Sequence, residues 1–476
     1  MIKTRLPFFY DYVFPSTILP NASPIEQSIV NMIATQYSNK PRTETFLEMD
    51  IDSDHSYFRR LFGDNMGHMP QSLRWGGPFL GQRCFHNRVE ILENSVYFGK
   101  LNMHKQGYRR YIYPIKATLH FPRFTGTDEV GSKLNGEFFW KHISEEVLQD
   151  VRSDNAIIFL DWSNENFIDQ ADYANLHYAI SYGGLPKKNI ILAVNSFNAQ
   201  QIYESWFTPE QQLLQVRNLP YLINQVSWYY ASNPDIMISE ERFKASRDTF
   251  RPNYFMYPSR RGRDHRWAML FKFATDGLLE KADWSSLENV SFDSAFARAS
   301  VFDLGFDKET CRKWYSLVPK SLQKEGGSTY DTVAGWNDRH SESNINSYFY
   351  VTGETYVHGQ YRSLTEKGFK AIANYNPFLI VGFPGILEEL RRLGFKTFSG
   401  WIDESYDRET DTTKRMSMIA AEVRRLCSMS KEEIHAWYWQ MEEVLIHNHN
   451  RLMNLYLTDE NSQGFIEYLH HRVRNP

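Results

Sequence analysis

Cysteine is scarce in this chain of 476 residues, with Cys84, Cys311 and Cys427 as its three representatives. They are far apart, odd in number and in no CxxC or Cys/His spacing. That excludes a disulfide framework and a zinc ribbon, and fits buried thiols in a reducing compartment. Long apolar runs are missing as well. The opening MIKTRLPFFYDYVFPSTILP is interrupted by Pro7, Asp11 and Pro15 and offers neither a membrane span nor a signal-like core. A cytoplasmic location without a membrane partner is the resulting expectation. A large excess of one charge is absent too: 53 Lys and Arg stand against 57 Asp and Glu, a net charge of −4. Such a balance does not advertise a nucleic-acid binder, because neutralising phosphates takes clustered cations. Internal repeats and low-complexity tracts are also lacking, which excludes solenoids and extended disorder.

What is present describes a globular protein of ordinary mixed elements, 42% apolar, 23% charged and 15% aromatic. The length exceeds what one hydrophobic core usually serves, so two domains are expected, with a cleft as the default place for a site. Two local basic clusters stand out from the near-neutral whole. Arg260, Arg261, Arg263 and Arg266 fall within seven residues, and Lys105, Arg109 and Arg110 form the other group.

Along the chain, VEILENSVYFG and YRRYIYPIKATLHF alternate enough to be short strands. From Phe138 the pattern changes. FFWKHISEEVLQDVRS is helix-like, NAIIFLDWSNENF is a continuous apolar strand, DQADYANLHYAISYGGL is helical, and KNIILAVNS is a second buried strand. Strand, helix and strand at this spacing mark a parallel sheet. A helical region follows around residues 199–222, and the pattern restarts near residue 245. There NYFMYP reads as a strand, SRRGRD as a loop, and HRWAMLFKFATDGLL as a helix that Asp264 can N-cap. SYFYVTGET and PFLIVG are further strands, GILEELRRLGF is a helix, and TFSGWIDESY is a strand and loop. The end is helical: TTKRMSMIAAEVRRLCSMS, then SKEEIHAWYWQMEEVLIHNHNRLMNLYL with a capping box at Ser430 and Glu433. The fold class is therefore α/β, with two facing Rossmann-like domains and C-terminal helices. The expected domains are residues 1–244, residues 245–410, and terminal helices over 411–476 packing across both.

Two constellations bear chemistry. PSRRGRDHR runs from a strand end into a helix start, where backbone N–H groups and the positive end of the macrodipole favour an anion and Arg adds bidentate donors. Diphosphate binding through Arg260 and Arg266 is one reading; a solvated basic loop is the other. The second is Thr365-Glu366-Lys367, in which Thr365 caps a helix, Glu366 accepts from two vicinal hydroxyls, and Lys367 meets phosphate as a mobile point charge. Glu in a first turn also suits the dipole whatever the function. Glu354, eleven positions before Thr365, adds a carboxylate at the preceding strand end.

The segment SYFYVTGETYVHGQYRSLTEKGFKAIANYNPFLIVG resembles the nucleotide-sugar motif of the α1,3-fucosyltransferase family, and the likeness extends over roughly residues 250–405. Glu354 falls on the family's first glutamate, Thr365, Glu366 and Lys367 on its trio, and Arg266 on its phosphate-binding arginine. Thr355-Tyr356 and Asn374-Tyr375-Asn376 depart from the family pattern. The whole chain is similar to glycosyltransferase-like proteins of tailed phages. The resemblance implies a GT-B-like architecture with a nucleotide-sugar donor in the C-terminal domain, and an inverting direct displacement without an essential metal. It implies a hydroxyl acceptor, either a hydroxymethylated pyrimidine in phage DNA or a glycan or other small hydroxyl compound. The general base is then expected from the N-terminal domain, with Asp161 first and Glu165 second; each also fits a structural carboxylate after a strand.

Other readings compete. Asp50-Ile51-Asp52 and Asp52-Ser53-Asp54 resemble a metal-binding Asp-X-Asp, a weak motif placed before any clear βαβ unit. His447 and His449, two apart on a helix, face different sides and make poor joint ligands. Trp437, Tyr438 and Trp439 fit packing better than a platform for bases. A non-enzymatic phage protein with a decayed transferase fold is the alternative from another class, since fold alone does not establish activity.

Overall fold

The runs AIIFL and IILAV are apolar at successive positions, which suits strands covered on both faces rather than one. In the structure, a computed structural model, they are two neighbouring parallel strands, β4 (Ala156–Trp162) and β5 (Ile190–Val194), with Ile158 opposite Ile190 and Leu160 opposite Leu192. The structure describes residues 5–10, 90–95, 100, 103–116, 140, 143, 145–163, 170–259, 261–288, 290–320, 322, 341–359, 361–458 and 460–475.

Ten described strands form two sheets. The first has six strands in the order β2-β1-β3-β4-β5-β6, built from Arg5–Tyr10 (β1), Glu90–Ser95 (β2), Tyr111–Lys116 (β3), β4, β5 and Gln215–Asn218 (β6). The second has four in the order β10-β9-β7-β8, from Asn253–Ser259 (β7), Ala282–Ser286 (β8), Ser347–Gly353 (β9) and Phe378–Val381 (β10). Every paired strand in both sheets is parallel. The α/β class with two Rossmann-like parallel sheets is thus as expected.

Helices between the strands include Glu145–Arg152 (α1), Gln170–Tyr182 (α2), Ala199–Trp206 (α3), Tyr221–Ser232 (α4), Asp264–Thr275 (α5) and Glu366–Ala373 (α6), and after β10 come Ile386–Arg392 (α7), Thr412–Cys427 (α8), Lys431–Trp439 (α9), Glu442–Thr458 (α10) and Glu460–Arg474 (α11). Several details differ from the sequence reading. Residues 199–222 hold β6 between two helices, and β8 was not expected at all; QVRN and ADWSS lack a run of β-branched residues. TFSGWIDESY contains no strand, and its last residues open a 3₁₀ helix, Glu404–Arg408. The long terminal helix breaks between Trp439 and Glu442, while its capping box at Ser430 and Glu433 is present in full. Asp264 is the first helical residue of α5 rather than its cap, which is Arg263.

The chain divides into Met1–Tyr221 with Glu460–Pro476, and Leu222–Asp459. The division falls before residue 244, and the terminal helices do not form a separate piece. The cause is local. In α11, Phe465 packs on Phe159 of β4 at 5.9 Å, and Arg110 bonds the carbonyl of Arg472 at 2.8 Å. In α4, by contrast, Ser227 donates to the Leu452 carbonyl of α10 and accepts from Tyr456 N at 2.9 Å. The second sheet is packed by aromatic rings. Phe255 of β7 stacks on Phe349 of β9 at 5.5 Å and meets Phe273 of α5 edge-on at 5.3 Å. Burying such a ring stabilises by about 1.5–3 kcal/mol.

Candidate anion-binding site

From β7 the chain passes through α5 to β8 on one side, then returns through β9 to the other. Connections that leave neighbouring strands in opposite directions open a crevice at their carboxyl ends, the usual ligand position in open α/β sheets. A cavity of about 250 Å³ lies there. Its floor is Pro258 and Ser259 of β7, Ser285 of β8, and Tyr350, Thr352 and Gly353 of β9. Its walls are Arg261, Arg263 and Arg266 on one side and Thr355, Glu366, Lys367 and Lys370 on the other. Among the described residues, five cationic side chains and one carboxylate therefore line the cavity.

Gly262 lets the loop after β7 lie against an indole, since a Cβ there would fall 2.1 Å from Trp267 Nε1. Arg266 follows in the first turn of α5, where the helix dipole already favours negative charge. It is 7% exposed, held by Nη1 donating to the Arg261 carbonyl at 3.1 Å and Nη2 to the Glu354 carbonyl at 3.0 Å. Its Nε is buried and has no acceptor among the described residues. A buried N–H without an acceptor costs free energy unless a ligand supplies one. Burial presses the Arg266 pKa downward, with Tyr257 opposing, yet a guanidinium stays charged. Gly353 makes room for this arrangement, because a Cβ there would meet Arg266 Cγ at 2.9 Å. The Arg263 guanidinium lies over the Tyr356 ring, 4.9 Å from its centroid.

His265 completes that side. Its Nε2 lies 2.9 Å from the Glu354 carbonyl, which only accepts, so the proton is on Nε2. Burial, with the Arg266 charge, lowers its pKa to about 3 and keeps the ring neutral.

On the other side, Thr365 occupies the N-cap position of α6 but makes no capping bond with its side chain. Its hydroxyl donates instead to the Glu354 carboxylate, which also accepts from Thr365 N and Thr355 N, each at 3.3 Å. Glu354 is 1% exposed and does not line the cavity, contrary to the expectation of a second carboxylate in the crevice. Burial raises its pKa, opposed by Lys367 and Thr365. Lys367 Nζ reaches Glu366 Oε1 at 2.9 Å, Thr365 Oγ1 at 3.0 Å and Thr355 Oγ1 at 3.2 Å. Burial works to raise the Glu366 pKa, but the charges of Lys367 and Lys370 outweigh it and bring it down to about 2.

The structure thus brings together Arg266, Glu366 and Lys367 as cavity walls, with Glu354 and Thr365 behind them. Arg260 and Glu165 lie outside the described residues, as do the Asp50, Asp52 and Asp54 triplets and Cys84. Asp161 is the last residue but one of β4 in the first unit, 1% exposed; its Oδ1 accepts from Ser163 N at 2.9 Å and from the Ser163 hydroxyl, the bonding of a strand-exit turn. Among the described residues no group of three or more His, Cys, Asp and Glu side chains can hold a metal ion. Nor is any described helix long and apolar enough to cross a membrane. Of the other basic cluster, Lys105 and Arg109 are exposed, while Arg110 is 1% exposed and paired with Asp154.

Arg261 and Arg263 belong to the basic cluster seen in the sequence, where Arg260 and Arg266 were preferred, while Lys370 and Ser285 were missed. Lys370 had a signal in its spacing: positions 366, 367 and 370 share one helix face. Ser285 had none, because its strand was not recognised.

No family model matches the chain, and no curated protein matches it. Solved structures give weak fold-level likenesses. One is the α,α-trehalose 6-phosphate synthase of Burkholderia multivorans, with a TM-score of 0.40 and 10% identity over 98% of this chain and 96% of the other. The Escherichia coli protein with UDP-2-fluoro glucose bound gives 0.39 and 11%, over 98% and 99%. The N-terminal domain of Candida albicans trehalose-6-phosphate phosphatase gives 0.36 and 8%, over 99% and 100%. Scores of this size leave the functional reading to the geometry of the cavity.

Proposed function

We propose that the second unit binds a nucleoside-diphosphate sugar and that the protein is a glycosyltransferase. The observation that carries this reading is the cavity at the switch point of the second sheet, where Arg261, Arg263, Arg266, Lys367 and Lys370 converge and Arg266 keeps a buried N–H without an acceptor among the described residues. Such a wall offsets the charge of a diphosphate, both bound and leaving.

In the proposed reaction an acceptor hydroxyl oxygen forms a bond to the anomeric carbon as the bond from that carbon to the diphosphate oxygen breaks. The electron pair leaves with the diphosphate, and the hydroxyl proton passes to a carboxylate base, with inversion. Asp161 and Glu165 remain the candidates for that base. Arg266 and Lys367 then do the work a divalent ion does elsewhere, so no metal is required. The donor nucleotide base and sugar are left open, and the acceptor is a hydroxymethylated pyrimidine in DNA or a saccharide hydroxyl. Action in a cytoplasm, that of the host if the chain is phage-encoded, fits such donors.

Thermal shift with uridine, guanosine, adenosine, cytidine and thymidine diphosphates tests the donor site. Stabilisation by at least one of them, lost in both Arg266→Ala and Lys367→Ala, is expected. No stabilisation by any at millimolar concentration overturns the reading and favours a non-enzymatic protein. Mass spectrometry of DNA carrying hydroxymethylcytosine, after incubation with the protein and donor sugars, separates the acceptors: a sugar-sized mass gain on the base identifies DNA.

A further inference from the structure

The ammonium of Lys367 has three protons, and three acceptors surround it: Glu366 Oε1, Thr365 Oγ1 and Thr355 Oγ1, at 2.9, 3.0 and 3.2 Å. The Thr365 hydroxyl gives its own proton to Glu354, so it turns a lone pair toward Lys367. Lys367 is therefore fully engaged within the protein. A phosphate oxygen reaches it only by displacing one of these acceptors.

The three are not equal. Two are neutral hydroxyls that a phosphate tolerates nearby. The third is the only carboxylate among the described residues of the cavity wall, and an arriving anion repels it as well as competing with it. Glu366 is also only 20% exposed, so water compensates poorly for the loss of its lysine. A bare phosphoanion thus leaves a carboxylate beside negative charge with no donor in exchange. A diphosphate ester that carries hydroxyls next to its phosphates brings O–H donors to the carboxylate it has just uncoupled.

We propose that the Glu366–Lys367 pair is an internal stopper that makes Glu366 the residue selecting hydroxyl-bearing diphosphates over bare phosphoanions. This rests on the reading of the cavity as a diphosphate site. Binding exchanges one ion pair for two sets of contacts, lysine to phosphate and carboxylate to hydroxyl. Charge-assisted bonds are among the stronger ones, and their loss on one side only discriminates well.

Calorimetric titration of the full chain with inorganic pyrophosphate and with uridine and guanosine diphosphates tests it, in wild type and in Glu366→Gln, which is nearly isosteric. Thr355→Val, which removes a neutral acceptor, is the control. The expected result is that Glu366→Gln binds pyrophosphate about tenfold more tightly, near 1.4 kcal/mol, while its preference for the nucleotide collapses. Thr355→Val should shift both ligands together by less. If wild type binds a nucleoside diphosphate and Glu366→Gln leaves pyrophosphate binding within twofold, the stopper is overturned and the donor site stands. If wild type binds no nucleotide but the variant gains pyrophosphate, the donor reading falls and the selection by Glu366 falls with it. If neither protein binds any of the three ligands, both are overturned.

Discussion

Glu354 and Arg266 meet through backbone rather than charge: the guanidinium Nη2 donates to the Glu354 carbonyl at 3.0 Å while the Glu354 carboxylate turns away to hold Thr365. One residue thereby fixes the arginine wall through its main chain and the lysine wall through its side chain. Glu354→Ala should release the start of α6 and weaken nucleoside-diphosphate binding by about tenfold, the effect of an uncompensated buried bond or two. Glu354→Gln, whose amide oxygen still accepts from Thr365, should restore most of the affinity. Calorimetry on both variants checks this; equal loss in the two means that charge, not positioning, is what Glu354 supplies.

Gly353 bears on the same joint. Since a Cβ would meet Arg266 Cγ at 2.9 Å, near the rigid end of the side chain, Gly353→Ala must push the arginine from its place. A destabilisation of about 1–3 kcal/mol is expected for such overpacking, together with a loss of diphosphate binding. A melting curve and a titration on the same preparation measure both; unchanged binding places Arg266 outside the site.

These relationships show what the sequence makes legible. Strands β4, β5 and β10 are built on continuous apolar runs and β9 on an aromatic-rich one, and the Glu366–Lys367 pair sits where a helix start was expected. Strands β6 and β8 escape because short polar strands depend on their neighbours rather than on their own residues. The direction in which Glu354 turns has no sequence signature, since both faces of the strand exit accept a carboxylate. Lys370 was within reach of helical spacing. Arg110 reads as surface charge in a basic cluster, and only the fold shows that it is buried.

Acid should weaken the fold through two neutral histidines. His265 has a folded pKa of about 3 and His177, buried against Tyr203 and Phe207, about 4, both lowered by burial from about 6.5. As pH falls below 6.5 the unfolded chain takes up these protons first, so stability is complete above that value and declines toward pH 3. Glu366, lowered to about 2 by its lysines despite burial, adds a loss below about 4.5. Melting temperatures from pH 8 to pH 4 should fall mainly below 6.5. His177→Phe should remove part of that slope; an unchanged slope shows that this ring titrates freely in the fold.

Arg110 separates stability from nucleic-acid binding. Its guanidinium bonds Asp154, the Asp154 carbonyl at 3.0 Å and the Arg472 carbonyl at 2.8 Å, so it ties β3 to the turn after α1 and to the end of α11. Removing one partner of a buried pair leaves the other uncompensated, at about 3–5 kcal/mol, though the partly exposed Asp154 keeps Lys188 at 2.7 Å and softens the loss. Arg110→Met should therefore lower the melting temperature by several degrees. Lys105→Ala and Arg109→Ala, both at exposed positions, should leave it within about a degree, because surface substitutions rarely exceed about 0.5 kcal/mol. If this face meets DNA, the same two exposed substitutions should weaken binding and each reduce the slope of log affinity against log salt by about one. Arg110→Met at a temperature where it is folded should leave that slope unchanged. A slope that falls in Arg110→Met instead means that this guanidinium reaches phosphate.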